Sequence, residues 1–272
     1  MSYYPPIPHR HRHWFIEGVR VQASVTGALL MRELHTRYGR RGLGYIWLIL
    51  EPLILAVAVI LIKTVVRHGR EFPGIDPVPF VIVGYVNFMM FRSIFNRADG
   101  ALEANAPLLY HRMVTVWDLL FSRALLEALG TASTFIIIMT FAILLGHAEL
   151  PVRPFNLIVG FAMLWFWSFA LSLLICSWTY ENATVSKFVH PLSYILLPLS
   201  GAFYMIQWMP SAWREKLAYW PMAMAFEEMR YGQFEVATER YVEMPYFLMV
   251  CMILLLLGLL SLRELRHRLT LS

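Results

Sequence analysis

Residues 155–178, FNLIVGFAMLWFWSFALSLLICSW, are the stretch that decides the fold class of this chain. The stretch contains no Asp, Glu, Lys or Arg, and it exceeds the roughly 20 apolar residues that a helix needs to cross about 30 Å of hydrocarbon. The whole chain of 272 residues is similarly apolar, with 58% hydrophobic and 15% charged residues, against about 45–50% and about 25% in soluble domains. We therefore predict an integral membrane protein.

Five further segments are long and apolar enough to cross a membrane. They lie at about 45–66, 78–96, about 119–145, about 188–206 and about 245–262. The sequence thus predicts an all-α domain of six transmembrane helices over residues 45–262. Before it lies a tail of residues 1–44 and after it a tail of residues 263–272.

The distribution of basic residues predicts the orientation. With the N-terminus inside, the cytosolic segments carry twice as many Lys and Arg residues as the outer segments, as the positive-inside rule requires. We therefore expect both termini to be cytosolic.

Two segments outside the spans are too long to be turns. Residues 17–44 mix leucines with several arginines, which predicts an amphipathic helix lying in the membrane surface; a solvated helix is the alternative. Its basic residues include Arg32, Arg37, Arg40 and Arg41. On the outer side, residues 207–244 are broken by Pro210 and Pro221, which predicts two short helices from about Ser211 and Met222 that either dip into the outer leaflet or form an aromatic belt.

Ionisable residues inside predicted spans are costly and need a partner. Glu51 precedes Pro52 in the first span, and we expect it to pair with a nearby arginine and hold the bend after the interfacial helix; direct contact with a substrate is the alternative. Glu127 lies in the third span, and the sequence leaves open whether it makes a structural contact or contacts a substrate. Arg92 is expected to extend toward the inner interface.

The sequence lacks the patterns of enzymes. None of the three lysines follows a glycine, so there is no G-K-[ST] phosphate loop, and ATP would have to bind to another chain. The three aspartates are far apart, and neither H-E-x-x-H nor G-x-S-x-G occurs. We therefore expect a non-catalytic chain with no metal site, no cofactor of its own and no nucleic-acid partner.

Aromatic residues in the second and fifth spans are candidates for a glycan path, because sugar rings stack on aromatic faces. Tyr85, Phe88 and Phe91 are spaced by three residues and should share a helical face, and Tyr194 and Tyr204 belong to the fifth span. Ordinary packing against lipid or other helices is the alternative.

Two motifs carry a family resemblance. Residues 32–53, RELHTRYGRRGLGYIWLILEPL, closely resemble the signature of ABC-2 type permeases, which export bacterial surface glycans. Residues 103–126, EANAPLLYHRMVTVWDLLFSRALL, resemble the cytosolic coupling loop of that family, most closely that of capsular polysaccharide export permeases.

The outer segment, residues 201–234, resembles the re-entrant region of the same family. Glu227 and Arg230 stand at pattern positions there. The segment departs from the pattern at Trp220, where Asn is common, and at Met224, where His is common.

The resemblance implies a homodimer in the bacterial inner membrane, with two copies of a cytosolic ATPase that binds ATP and Mg²⁺. It further implies that a lipid-linked polysaccharide passes between the subunits, and that a periplasmic co-polymerase and an outer-membrane exporter are partners. The coupling helix at about 105–118 would dock on the ATPase through Asn105, Leu108, Leu109, Tyr110 and Arg112. Rival interpretations are an ABC-2 permease for O-antigen, teichoic acid or another lipid-linked or small-molecule substrate, and a membrane-embedded glycan transferase.

Overall fold

The computed structural model describes residues 14–38, Ile54, 75–110 and 114–271, and every regular element in these residues is helical. The prediction of an all-helical chain is confirmed for this part. The first predicted span, 45–66, falls outside the described residues apart from Ile54, and so do Arg40, Arg41, Glu51 and Arg112.

Ten helices of the described residues organise the fold. They are α1 (Trp14–Tyr38), α2 (Pro77–Ala98), α3 (Ala101–Ala104), α4 (Ala106–Tyr110), α5 (Val116–Leu144), α6 (Pro154–Glu181), α7 (Ala183–Leu199), α8 (Ser211–Ala218), α9 (Pro221–Gln233) and α10 (Met244–Leu271). Four of them, α2, α5, α6 and the apolar part of α10, are long and apolar enough to cross a membrane. They coincide with four of the predicted spans.

The bundle has two ends, because neighbouring long helices run antiparallel. At the near end, α2 and α6 finish while α5 and α7 begin; the Ser186 hydroxyl there donates to an Asp99 carboxylate oxygen at 2.9 Å. At the far end, α6 and α10 begin while α5 and α9 finish.

Helix α7 differs from the predicted fifth span, 188–206. It begins at Ala183 and ends at Leu199, and its 17 residues extend about 26 Å. Pro198 lies in its last turn, and the following turn places Gly201 at φ 88°, a left-handed conformation that favours glycine. The chain therefore leaves the helix before Tyr204.

Helix α2 contains a π-helical turn at Ile82–Val86. A Cβ atom at Gly84 would lie 1.9 Å from the carbonyl oxygen of Ala202, so only glycine lets the turn after α7 pack this closely. The extra residue of a π turn also rotates the helical faces on its two sides relative to each other.

Helix α9 lies antiparallel along the far-end half of α6. A Cβ atom at Gly160 would lie 2.5 Å from the Met229 nitrogen, and one at Gly232 would lie 2.3 Å from the Leu157 nitrogen. At the far end the Arg153 side chain donates to the Tyr231 carbonyl at 2.9 Å and satisfies one of the last carbonyls of α9. The two backbones are therefore in direct contact, and α9 is almost wholly buried.

Candidate functional site

The coupling segment, residues 105–118, lies at the near end. Helix α4 begins directly after Asn105, with Pro107 in its first turn. The Asn105 side chain, however, donates to the Ala101 carbonyl at 2.9 Å and accepts a hydrogen bond from Arg32. Its amide therefore connects α3 to α1. Leu108 is half-buried, and the side chains of Leu109 and Tyr110 fall outside the description.

Helix α1 is held on α5 by polar side chains. Gln22 donates to the Asp118 carboxylate, and Arg123 Nε donates to Glu33 Oε1 at 2.7 Å. Arg32 Nη2 lies 3.5 Å from the same Glu33 oxygen and also reaches Asn105. Arg32, Glu33, Asn105 and Arg123 thus form one polar group, which we call the near-end network.

The near-end network corrects the expected orientation of Arg32. We predicted that this arginine faces lipid headgroups, but its guanidinium contacts protein groups on two sides. The exposed residues of α1 include the apolar Ile16, Val19 and Met31 beside the charged Glu17 and Arg20. The spacing of Gln22, Thr26, Leu29 and Glu33, which places them on one helical face, is the sequence signal for this contact. The Arg37 side chain lies outside the description.

The two other ionisable residues singled out in the spans have protein partners. Glu127 Oε1 lies 3.2 Å from Arg97 Nε, so this carboxylate joins α5 to α2. The Arg92 guanidinium carbon lies 3.9 Å from the centroid of the Tyr194 ring. Arg92 therefore makes a cation–π contact with α7. The sequence had predicted that this side chain extends toward the inner membrane interface.

The five aromatic residues proposed for a glycan path are not brought together. Phe88 and Phe91 are buried against each other, 5.7 Å between ring centroids, inside the main core. Tyr85 is buried in a separate cluster against Phe203, at 6.1 Å. The expectation that these three rings share one face is wrong, because Tyr85 belongs to the π turn and packs in a different cluster from Phe88 and Phe91.

Two of the five aromatic residues keep their rings at the surface of the chain. Tyr194 is 58% exposed and Tyr204 is half-buried. The Tyr204 hydroxyl donates to the Leu199 carbonyl at 3.0 Å, which ties the segment after α7 back to the end of that helix.

Glu227 and Arg230 form a buried ion pair on α9. Arg230 is fully buried, its Nη1 lies 3.5 Å from Glu227 Oε1, and it also donates to the Tyr204 carbonyl. The same Glu227 oxygen accepts the Ile206 N–H at 2.9 Å. The Arg230 guanidinium carbon lies 4.4 Å from the Phe80 ring centroid. The pair thus fastens α9 to the segment after α7 and to α2.

The burial of this pair shifts both ionisation equilibria. Removal from water lowers the pKa of Arg230 to about 10, against the opposing effect of the Glu227 charge, so the guanidinium stays charged near neutral pH. Burial likewise raises the pKa of Glu227, and Arg230 and the Ile206 N–H counteract that rise. Such a pair is costly to break, because removing either side chain would leave the other buried without its charge partner.

The comparison with known families matches residues 24–234 to the family described as "ABC-2 type transporter". The chain belongs to this family. The match includes α1 from residue 24, the coupling segment and all of α9. The near-end network and the Glu227–Arg230 pair therefore lie inside the ABC-2 domain, whereas Gln22, which contacts Asp118, lies just before it.

Named relatives of this ABC-2 family member are similar over almost their whole length. It is 36% identical over 250 residues to the capsule polysaccharide export inner-membrane protein CtrC of Neisseria meningitidis serogroup B, covering 92% of this chain and 94% of that protein. It is 35% identical to BexB of Haemophilus influenzae, a protein of the same description, at the same coverages. The polysialic acid transport protein KpsM of Escherichia coli is 29% identical, covering 89% and 93%.

Of the two departures from the family pattern, Met224 lies in the core of this ABC-2 protein and the partly buried Trp220 packs against that core. The Trp220 ring packs edge-on against Trp167, with centroids 6.1 Å apart, and Met224 is buried. Apolar side chains therefore suit both positions. In the described part of the chain, no group of three or more His, Cys, Asp or Glu residues could hold a metal ion.

Proposed function

We propose that this ABC-2 family chain is the transmembrane permease subunit of an ATP-driven exporter that moves a lipid-linked capsular polysaccharide across the bacterial inner membrane. The observation that carries the proposal is the similarity, over 92% of the chain, to inner-membrane proteins named for capsule polysaccharide export. Two copies of this chain would pair with two copies of a separate ATPase, and a periplasmic co-polymerase and an outer-membrane exporter would continue the route.

The proposed topology has six spans with both termini in the cytosol. The near end then faces the cytosol and the far end faces the periplasm, in agreement with the excess of Lys and Arg in the near-end segments. Residues 45–66 supply one span, with Glu51 holding its bend, and α7 with the following segment supplies the fifth. Because α9 begins at the level of Trp167 and ends at the far end, α8 and α9 are proposed to form a re-entrant hairpin.

In this proposal the ATPase acts on the coupling segment, and the near-end network transmits the movement. A displacement of α4 would pull on Asn105, which is hydrogen-bonded to Arg32 of α1. Arg32 neighbours Glu33, and Glu33 binds Arg123 of α5. Helices α1 and α5 would therefore move together with the coupling segment.

The glycan path is proposed to follow Tyr194 and Tyr204, whose rings remain at the surface of the chain. A sliding polymer needs many weak contacts, and aromatic faces supply these. Arg92 covers one face of the Tyr194 ring, so the polymer would stack on the other face. Phe88 and Phe91, being core residues, are excluded from the lining.

The proposal is tested by deleting the gene in its own host. We expect loss of surface capsule with polymer retained in the cell, and restoration by the intact gene. Changing both Leu109 and Tyr110 to Asp should leave the permease in the membrane but abolish export, because it adds charge to the apolar docking surface. Val236→Asp, the same kind of change in an exposed far-end loop, is the matched control.

Other outcomes separate the rival functions. Intact capsule together with loss of O-antigen, teichoic acid or another surface glycan would assign a different ABC-2 substrate. Hydrolysis of ATP, or transfer of a lipid-linked sugar, by the purified chain alone would contradict a non-catalytic subunit.

A further inference from the structure

A cleft of about 450 Å³ opens at the far end, between α8 and the loop that joins α9 to α10. This volume lies in the range of about 300–1,000 Å³ typical of small-molecule sites. The lining includes two arginines, two glutamates and two tyrosines: Arg214, Glu215, Tyr219, Arg240, Tyr241 and Glu243. No role in the proposed export cycle has yet been assigned to these residues.

The α8 side of this cleft is held in place by specific contacts. Arg214 Nη2 donates to the carbonyl oxygens of Gln207 and Met209, at 3.1 and 3.0 Å. The Tyr246 hydroxyl donates to the Tyr219 carbonyl at 3.2 Å, and the two rings meet edge to face at 5.6 Å. Tyr219 is nevertheless 56% exposed, so its ring remains accessible. A ligand would therefore meet a preorganised surface, which lowers the entropy cost of binding.

The charges of the cleft indicate the chemistry of its ligand. Its two arginines balance its two glutamates, and the structure, which describes all four, records no ion pair between them. Guanidinium groups, carboxylate acceptors and two tyrosine residues thus line one cleft, although Nη2 of Arg214 is already bonded to backbone carbonyls. A purely anionic ligand would favour an excess of arginine, and an apolar ligand would be hindered by four charges.

A saccharide fits this combination. Each sugar hydroxyl can donate a hydrogen bond to a glutamate carboxylate and accept one from an arginine guanidinium. The C–H face of the sugar ring can lie on an aromatic face. We propose that the cleft binds sugar units of the exported polysaccharide at the far end, after they leave the transmembrane region. This inference rests on the proposed function.

The position of the cleft supports this role. The Gln207 and Met209 carbonyls that hold Arg214 belong to the segment that carries Tyr204, so Arg214 connects the cleft to the segment of the proposed path. A saccharide held there would oppose backward sliding of the chain between ATP cycles.

The test uses the purified permease with its ATPase, and short oligosaccharides prepared from the capsule of the host as the probe. Binding is measured by saturation-transfer NMR and by calorimetry. Changing Tyr219 and Tyr241 to Ala together should weaken binding at least tenfold, because each lost stacking contact is worth about fivefold. Tyr219→Phe keeps the ring and should bind nearly as the native protein does.

Trp213→Ala is the matched control, since Trp213 is an exposed aromatic residue of α8 outside the cleft. Unchanged oligosaccharide binding by the Tyr219/Tyr241 double variant overturns the inference. If that variant binds normally but no longer exports, the cleft serves a protein partner and the inference is also wrong.

Deleting the gene tests the proposed export function separately from the cleft. If deleting the gene leaves the capsule in place, the proposed function fails and the cleft inference fails with it. If deletion removes the capsule but the native complex does not bind the oligosaccharides, only the cleft inference fails.

Discussion

Replacing Glu33 by Gln tests how α1 is held on the bundle. The Glu33 side chain is 7% exposed, and its Oε1 lies 2.7 Å from Arg123 Nε and 3.5 Å from Arg32 Nη2. The amide of Gln occupies nearly the same volume but carries no charge. The substitution therefore removes the electrostatic attraction to both arginines while leaving the packing of α1 almost unchanged.

The expected magnitude follows from the burial of the three side chains. Breaking a fully buried pair costs about 3–5 kcal/mol, whereas an exposed pair is worth about 0–1 kcal/mol. Arg123 is 17% exposed and Arg32 is 39% exposed, which places this network between the two limits. We expect Glu33→Gln to lower the free energy of unfolding by about 2 kcal/mol.

The assay is unfolding of the purified protein in mixed micelles by a denaturing detergent, followed by tryptophan fluorescence. Arg123→Gln should be destabilising as well, and the double variant should lose less than the sum, because the second change removes a partner that is already lost. Glu17→Gln, at an exposed position in the first turn of the same helix, is the control and should stay within about 0.5 kcal/mol of the native protein.

Two results would refute the reasoning. One is a Glu33→Gln protein as stable as Glu17→Gln, which would show that the polar contacts do not hold α1. The other is strict additivity of the Glu33 and Arg123 changes, which would show that the two side chains do not interact.

Three further predictions concern the bundle. Gly160→Ala should destabilise the protein by more than about 2 kcal/mol in the same assay, because its Cβ would overlap the α9 backbone, whereas Gly27→Ala, with open space around it, should be neutral or slightly stabilising. Glu227→Gln should reduce the thermal unfolding temperature and the yield of folded protein, since Arg230 would lose its charge partner; a normal unfolding temperature would contradict this. Phe88→Ala should lower the free energy of unfolding by about 3–5 kcal/mol. Tyr194→Ala should lower it less and should slow export modestly. If Tyr194→Ala were the more destabilising change, the burial of these two rings would be misassigned.

The positions of the long helices could be predicted from the sequence, because the length of an apolar run is a local property. A helix that crosses hydrocarbon must satisfy its own backbone polar groups and present apolar side chains throughout. The stretch 155–178 therefore predicts α6 to within a few residues of Pro154–Glu181, and two prolines predict the starts of α8 and α9. Each of these inferences needs only neighbouring residues.

Which face of a helix turns inward was decided by the tertiary structure. Phe88 and Phe91 fit a pore lining and a core equally well by spacing, and only the helices packed over them make them core residues. Tyr85 leaves their face because it belongs to the π turn, and Gly84 permits that turn to touch the Ala202 backbone. Ala202 lies in the turn that follows the end of α7 at Leu199, so this contact also depends on where α7 ends.

The partners of the charged residues were likewise a tertiary matter. Glu33 and Arg123 are far apart in the chain, as are Arg97 and Glu127. The sequence by itself determined that such charges near apolar helices need partners, because an unpaired charge out of water is costly. Which arginine meets which carboxylate depends on how α1, α2 and α5 pack side by side, since only that packing brings groups from separate helices within hydrogen-bonding distance.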